Sequence, residues 1–232
     1  MARWQVQLTG HAFDLEELPR LLTAPELRVI GQDGRYLLEA EQFEALTESA
    51  AVHAAALALL PLINGAGKLK HRSFRDIDVG PIRELDEEGN TRQHVVVLAA
   101  TVEARAKASA VLVNLGEEEP AAPPPGSLDS DGWMRCASSN TYASRALTLW
   151  GGPHDPTNLW KVWELLRDRS GLAIDPDLRR RFRPAFNDRA IAGEGARHEV
   201  PSRYPVEPDT MSMEEAEASL GGLLTQWLGS QP

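Results

Sequence analysis

The chain has 232 residues, of which 42% are hydrophobic and 25% charged, and it contains a single cysteine. These values are ordinary for a soluble globular protein, and one cysteine excludes both an intramolecular disulfide and a zinc cluster built on cysteines. The net charge of −10 disfavours a nucleic-acid binder that uses its whole surface, because phosphate binding needs clustered Lys and Arg.

The ends and the apolar stretches of the chain bear on its location. Residues 1–6 lack the apolar run of a secretory signal, and the longest apolar stretch, about 50–63, is short, rich in Ala and interrupted by His53. We therefore expect a cytoplasmic protein with no membrane span. No phosphate-binding glycine loop, dinucleotide fingerprint or zinc-protease motif is present, so we expect no cofactor and no metal site.

The first half, residues 1–116, predicts an α+β domain with antiparallel hairpins and one long helix. Alternation in Trp4–Leu8 is typical of a half-buried strand, and Asp14 predicts the N-cap of a short helix. Two further strand-like runs flank Asp33-Gly34, a dipeptide typical of a tight hairpin turn.

A long helix is predicted next, from about residue 40 or 47 to Ile63. Asn64-Gly65 would end it, because both residues tolerate the left-handed conformation of a helix C-cap. A second hairpin is predicted with its tip at residues 86–90 and its returning strand at 94–98. Strict alternation over residues 102–110 predicts a further strand.

An acidic and proline-rich segment follows. Residues 117–132 contain three glutamates at Glu117–Glu119 and three consecutive prolines at Pro123–Pro125. Such prolines favour an extended spacer and forbid helix or central strand. We interpret the segment as a linker between two domains, residues 1–116 and 133–232; the alternative is a long surface loop within one domain.

The second half, residues 133–232, predicts a mainly α-helical domain. Asp155-Pro156 predicts the start of a helix over 156–169, and Ser212 has capping-box spacing to Glu215. Pro176 opens a basic turn or short helix, and residues 184–208 predict an ordered loop. The apolar stripe of the last helix includes Trp227, one of five tryptophans, of six in the chain, that lie in this half and favour a helical core.

Charge is distributed unevenly between the two halves. Residues 1–119 hold 12 basic and 19 acidic side chains, whereas residues 133–232 hold 12 and 13. Most arginines of the second half lie between Arg167 and Arg203. They predict an anion-binding surface on the C-terminal domain, with these binding residues: Arg179, Arg180, Arg181, Arg183, Arg189 and Arg203.

A single Arg–His pair is the candidate for catalysis. Arg197 opposes protonation of the adjacent His198, so a neutral imidazole could act as a base, and Arg197 could bind a phosphate or carboxylate. The structural alternative is that both side chains close the 184–208 loop onto the helices. A histidine without an evident second partner favours that alternative.

A resemblance is carried by Asn158–Glu164, Gly193–His198, Met213–Ala216 and Trp227-Leu228. This order of helix, Arg/His loop and final helix resembles the C-terminal part of a set of bacterial proteins and is similar to the HEPN superfamily. Its members are small helical, often dimeric domains of prokaryotic defence systems that cleave or bind RNA. The family's active motif places an Arg four to six residues before its His, whereas Arg197 is adjacent to His198. The resemblance therefore implies a degenerate, non-catalytic member.

Two weaker candidate sites come from other residues. Asp76 and Asp78 share a face if they lie on one strand, and His71 and His94 could approach them as metal ligands. A solvated polar face is the commoner outcome of such a pattern. Arg135 could lower the pKa of Cys136, although a small buried thiol is the default.

Together these features predict a cytoplasmic prokaryotic binding protein rather than an enzyme. Its Arg-rich C-terminal surface would recognise a macromolecular partner, expected to be a protein, with nucleic acid as the other partner class and a homodimer as an allowed state. The alternative is an enzyme that processes RNA or a nucleotide through Arg197 and His198.

Overall fold

The computed structural model describes residues 3–86, 91–94, 130–192, 196 and 210–230. The N-terminal part consists of β1 Arg3–Thr9, α1 Ala12–Leu21, β2 Thr23–Ala24, β3 Leu27–Gln32, β4 Arg35–Ala40, the 3₁₀ turn Glu41–Phe43, α2 Ser49–Lys70, β5 Asp78–Leu85 and β6 Thr91–His94. The C-terminal part consists of α3 Ser130–Ser139, α4 Thr141–Gly151, α5 Pro156–Arg169, α6 Pro176–Asn187, α7 Arg189–Ala192 and α8 Met213–Gly229. The predicted α+β class, with one long helix followed by a helical region, is confirmed.

The six strands form one antiparallel sheet in the order β2-β3-β4-β1-β5-β6. The predicted strand at Trp4–Leu8 is β1, which lies between β4 and β5. The predicted turn joins β3 to β4: Asp33 has φ 52° and Gly34 has φ 70°. A tight hairpin turn of this kind needs positive φ at both central residues, which explains the Asp-Gly pair.

The first helix corrects a local prediction. Asp14 is not its N-cap, because α1 already begins at Ala12 and is flanked by His11. The Asp14 carboxylate instead accepts a hydrogen bond of 2.8 Å from Nε of Arg75, in the segment after α2. A tertiary ion pair therefore uses the carboxylate that the local pattern assigned to capping.

The long helix α2 corrects a second prediction. It runs through Asn64-Gly65 to Lys70, so the predicted end at these residues is wrong. The Asn64 side chain accepts from the Ile77 amide at 3.0 Å, and its Nδ2 donates to the Ile77 carbonyl at 3.4 Å. Gly65 faces α4, where a Cβ atom would lie 3.0 Å from the Leu147 carbonyl carbon. Both residues serve packing between elements rather than a helix end.

The N-terminal and C-terminal parts share one continuous hydrophobic core. Helix α2 packs against β5 and β1 of the sheet and also against α4. The Lys68 ammonium group donates to the carbonyl of Gly151 at 2.7 Å, at the end of α4. Most of the predicted linker lies outside the described residues, so the division into domains 1–116 and 133–232 stays a prediction.

Helix α2 is also the one described helix that is long and apolar enough to cross a membrane by length and composition. Its apolar 18-residue window has a mean hydropathy of 1.5 and is 44% buried within the protein. The core helix of a soluble protein meets the same criteria, so this is weak evidence for a membrane span.

The C-terminal helices largely follow their local signals. The predicted helix over 156–169 is α5, and the Asp155 side chain caps it by accepting from the Asn158 amide at 2.8 Å. The capping box of Ser212 and Glu215 begins α8. The loop predicted over 184–208 is wrong at its start, because α6 continues to Asn187 and α7 follows. The predicted second hairpin is formed by β5 and β6, but its returning strand begins at Thr91 instead of residue 94. Residues 87–90, 95–129, 193–195 and 197–209, including the rest of that predicted strand and the strand predicted over 102–110, lie outside the described residues.

A polar cluster of Glu217, His154 and Arg72 links α8 to neighbouring segments. Oε1 of Glu217 lies 2.9 Å from Nδ1 of His154, whose Nε2 lies 2.7 Å from the Trp150 carbonyl oxygen. The other Glu217 oxygen accepts from Arg72 at 3.3 Å. The Glu217 side chain is only 17% exposed. If it is removed, water can therefore replace its hydrogen bonds to His154 and Arg72 only in part.

We expect Glu217→Ala to lower the free energy of unfolding by about 1–3 kcal/mol, because it leaves His154 and Arg72 without their shared acceptor. Urea denaturation followed by circular dichroism measures the change. The matched control is Glu214→Ala, which removes a 75% exposed partner of Arg72 and should cost less than about 1 kcal/mol. Equal effects of the two substitutions would contradict a special role for Glu217.

Candidate partner-binding surface

The structure places only some of the predicted site residues. Arg197, His198 and Arg203 lie outside the described residues. Arg189 opens α7, but only its backbone is described. The geometry of the Arg–His pair, and with it the catalytic alternative, therefore stays a prediction from the sequence.

The four arginines of α6 divide between two environments. Arg179, Arg180 and Arg183 are exposed, because Phe182, Ala185 and Phe186 turn the opposite face of the helix into the core. Phe182 packs edge-on against Trp163 of α5, with ring centroids 4.9 Å apart. This aromatic contact fixes the rotation of α6 about its axis and holds the three arginines in solvent.

Arg181 differs from these three arginines, because its side chain is half-buried. It lies near Glu215 in the first turn of α8, where bonds from Ser212 lower the pKa of Glu215 and the charge of Arg181 lowers it further. The Arg181 carbonyl also accepts from the Met211 amide at 3.4 Å. Arg181 therefore lies near the start of α8, whereas Arg179, Arg180 and Arg183 are exposed.

A groove of about 320 Å³ lies between α4 and α5. Its charged and aromatic lining comes from Tyr142, Arg145, Lys161, Glu164, Asp168 and Arg169, and its floor includes Leu149 and Leu165. None of these residues was among the predicted binding or catalytic residues. Their helical spacing was a usable signal: three positions separate Tyr142 from Arg145, and seven separate Lys161 from Asp168 on α5.

Charge–charge contacts connect this groove to α6. Nε and Nη2 of Arg167 both lie 2.6 Å from the Asp168 carboxylate and form a two-point contact. The bond from Arg167 lowers the pKa of Asp168, and the charges of Arg169 and Arg179 lower it further. Arg179 is therefore near enough to add to the positive potential around Asp168, although no α6 residue lines the groove itself.

A cation over an aromatic ring borders the groove. The guanidinium carbon of Arg169 lies 4.6 Å from the ring centroid of Tyr142, which is 45% exposed. Such a contact holds a planar cation and an aromatic ring together at the surface. We use the name basic face for the exposed cations of these three helices other than Arg167, which is bonded to Asp168. It consists of Arg145, Lys161, Arg169, Arg179, Arg180 and Arg183.

Three of the weaker candidate metal ligands contact different partners. His71 lies 3.6 Å from Glu17, His94 lies 2.8 Å from Glu84, and Asp76 lies 2.7 Å from Lys68. Within the described residues no group of three or more His, Cys, Asp or Glu could hold a metal ion.

The fold buries the thiol of Cys136. Cys136 is 3% exposed in α3, and burial raises the pKa of its thiol. The thiolate is the reactive form of cysteine, so the buried-thiol interpretation is favoured over a reactive one at neutral pH.

Comparisons with protein-family models, with curated proteins and with solved structures find no match to this chain, so the resemblance to HEPN proteins stays a prediction from the sequence.

Proposed function

We propose that the protein is a binding protein that recognises an acidic segment of a partner protein through the basic face. The observation that carries the proposal is the α4–α5 groove, where Arg145, Lys161 and Arg169 border a floor that includes Leu149 and Leu165. The three exposed arginines of α6 extend the positive charge beyond the groove. A segment with acidic and apolar side chains complements both parts of this surface.

The lining favours protein over nucleic acid as the partner. Glu164 and Asp168 lie in the same groove as the cations, so the groove can pair with basic as well as acidic side chains of a protein segment, whereas a phosphate backbone offers negative charge alone. Leu149 and Leu165 offer apolar contact area, which anchors partner side chains and contributes little to sequence-independent binding of phosphates.

The proposal is tested with a labelled peptide that carries Glu and Leu at helical spacing. We expect saturable binding in fluorescence anisotropy, with weaker binding of a peptide of equal charge that lacks the leucines. The double variant Arg145→Glu/Arg183→Glu should weaken binding by about tenfold or more, because each reversal places like charges together. Arg35→Glu/Arg92→Glu changes the net charge equally at exposed strand positions away from the basic face, and should have little effect.

The same assay separates the alternatives. Preferential binding of single-stranded RNA with a steep loss between roughly 50 and 200 mM salt would show a polyanion-binding surface instead. RNA cleavage that disappears in His198→Ala would favour the enzymatic alternative. Equal losses of peptide binding in the two double variants would show a general charge effect and would overturn the basic face as the binding surface.

A further inference from the structure

A second cavity lies beside α2 and shares no lining residue with the α4–α5 groove. It has a volume of about 340 Å³ and is bordered by the β2–β3 corner, the end of β4, the 3₁₀ turn, α2 and α3. The cavity thus lies where the sheet of the N-terminal part meets the first helix of the C-terminal part. Small-molecule sites commonly have this size and lie at such junctions.

The floor of this cavity is apolar. It is formed by Ala24, Leu27, Ala40, Leu59, Leu62 and Met134. Leu27 pairs with Ala24 on one side and with Ala40 on the other, so two alanines flank it where the strands end. Their short side chains leave the volume unfilled, whereas larger side chains at these positions would occupy it.

Two glutamates, Glu26 and Glu41, are among the residues that line the cavity. The Glu41 amide donates to the Glu26 carbonyl at 3.0 Å, so the two residues lie beside each other on neighbouring segments. Both residues are exposed, and neither has an ion-pair partner within the part of the chain that the structure describes. Like charges on adjacent segments repel each other, and a cation between them would remove that repulsion.

The other polar residues of the lining do not fully balance the two negative charges of Glu26 and Glu41. Arg135 of α3 also lines the cavity and brings one positive charge against the two carboxylates. Gln42 and Ser138 are neutral, and the Ser138 hydroxyl already donates to the Met134 carbonyl at 2.9 Å. Among the described residues, the lining therefore has two glutamates against one arginine, above an apolar floor.

We propose that this cavity is a binding site for a small organic cation with an apolar body, such as an arylalkylamine. The apolar body would lie on the floor between α2 and α3, and the ammonium group would bind Glu26 and Glu41. This site is independent of the proposed partner-binding surface, and each can fail without the other.

The probe for this site is 4-phenylbutylamine, measured by titration calorimetry and by shifts of backbone amide signals. We expect saturable binding of the amine, weaker binding of 4-phenylbutanol and no binding of 4-phenylbutyrate. Butylamine, which keeps the ammonium group and lacks the ring, should bind weakly. The affected amide signals should belong to residues around the 3₁₀ turn and α3.

Substitutions test both halves of the site. Glu26→Gln/Glu41→Gln should weaken amine binding by about tenfold or more, because it removes both charge-assisted bonds. Glu44→Gln is the matched control, since it removes an exposed carboxylate of the same segment that does not line the cavity. Ala40→Leu should block the cavity; if it does not fold, the glutamine variants still decide the question.

Three results would overturn the proposal. The first is the absence of saturable binding of the amine to the unaltered protein at millimolar concentration. The second is equal binding of the amine and 4-phenylbutyrate, which would show that the carboxylates do not select the ligand. The third is an equal loss of binding in Glu44→Gln and in the double glutamine variant.

Discussion

Replacement of Trp227 by alanine is expected to lower the free energy of unfolding by about 3–5 kcal/mol, the range for deleting a large buried aromatic. Trp227 is fully buried, with 0% of its surface exposed, in a helix that packs against α3, α5 and α6. Within the described residues its indole N–H has no hydrogen-bond partner. The loss is therefore expected to come from packing and cavity formation, since no hydrogen bond is removed.

Urea denaturation of three variants tests this account. Trp227→Phe keeps an aromatic ring and should cost clearly less than Trp227→Ala, because no indole hydrogen bond is lost. Gln226→Ala changes the neighbouring exposed position and should stay within about 0.5 kcal/mol of the unaltered protein. A stability of Trp227→Ala equal to that of Gln226→Ala would show that the tryptophan does not contribute to the core.

The second large effect is expected where α2 crosses α4. A Cβ atom on Gly151 would clash with the Pro61 carbonyl oxygen and lie 2.8 Å from the Gly65 amide nitrogen. Both obstacles are backbone atoms, so the helices themselves would have to move apart. We expect Gly151→Ala to lower the free energy of unfolding by about 1–3 kcal/mol or more, the usual cost of overpacking.

Another helical glycine provides the control. Gly222 lies in α8, and no described atom lies within 4 Å of the position that its Cβ atom would take, so Gly222→Ala meets no steric obstacle there. Alanine is the better helix former, so this substitution should be neutral or raise stability by up to about 1 kcal/mol. Thermal and urea unfolding compare the two variants. If both substitutions stabilised the protein, the close approach of α2 and α4 would be contradicted.

This crossing also explains why the two parts share a core. Glycine at positions 65 and 151 lets the backbones of α2 and α4 approach closely, and Lys68 then reaches the last carbonyls of α4. Damage at the crossing should therefore affect both the sheet and the helical region. Circular dichroism and tryptophan fluorescence should report the same unfolding midpoint for Gly151→Ala.

Local sequence patterns were sufficient to predict the helix caps and the turn whose interacting atoms lie within a few residues of each other. Asp155 caps α5 through the amide of Asn158, and Ser212 and Glu215 cap each other's backbone at the start of α8. The turn at Asp33-Gly34 likewise needs only its own two positive φ angles. Each of these interactions joins atoms at most three positions apart, so the sequence pattern contains both partners.

The candidate sites could be predicted only in part. The exposed arginines of α6 were visible as a basic run, but their partition depended on which face of α6 packs against Trp163. That rotation places Arg181 beside α8 and leaves Arg183 in solvent. The groove between α4 and α5 and the cavity beside α2 combine residues from separate elements, and no single sequence window contains them.

By itself the sequence determined the α+β class, the hairpin at Asp33-Gly34 and the starts of α5 and α8. Only the tertiary structure decided the roles of Asp14, which bonds to Arg75, and of Asn64-Gly65, which pack α2 against its neighbours instead of ending it. Asp and Asn suit helix ends because their side-chain oxygens accept hydrogen bonds from nearby backbone amides. Gly suits them because it has no side chain and adopts the left-handed conformation easily. The same properties satisfy distant partners equally well, and at Asp14 and Asn64-Gly65 the distant contacts prevail.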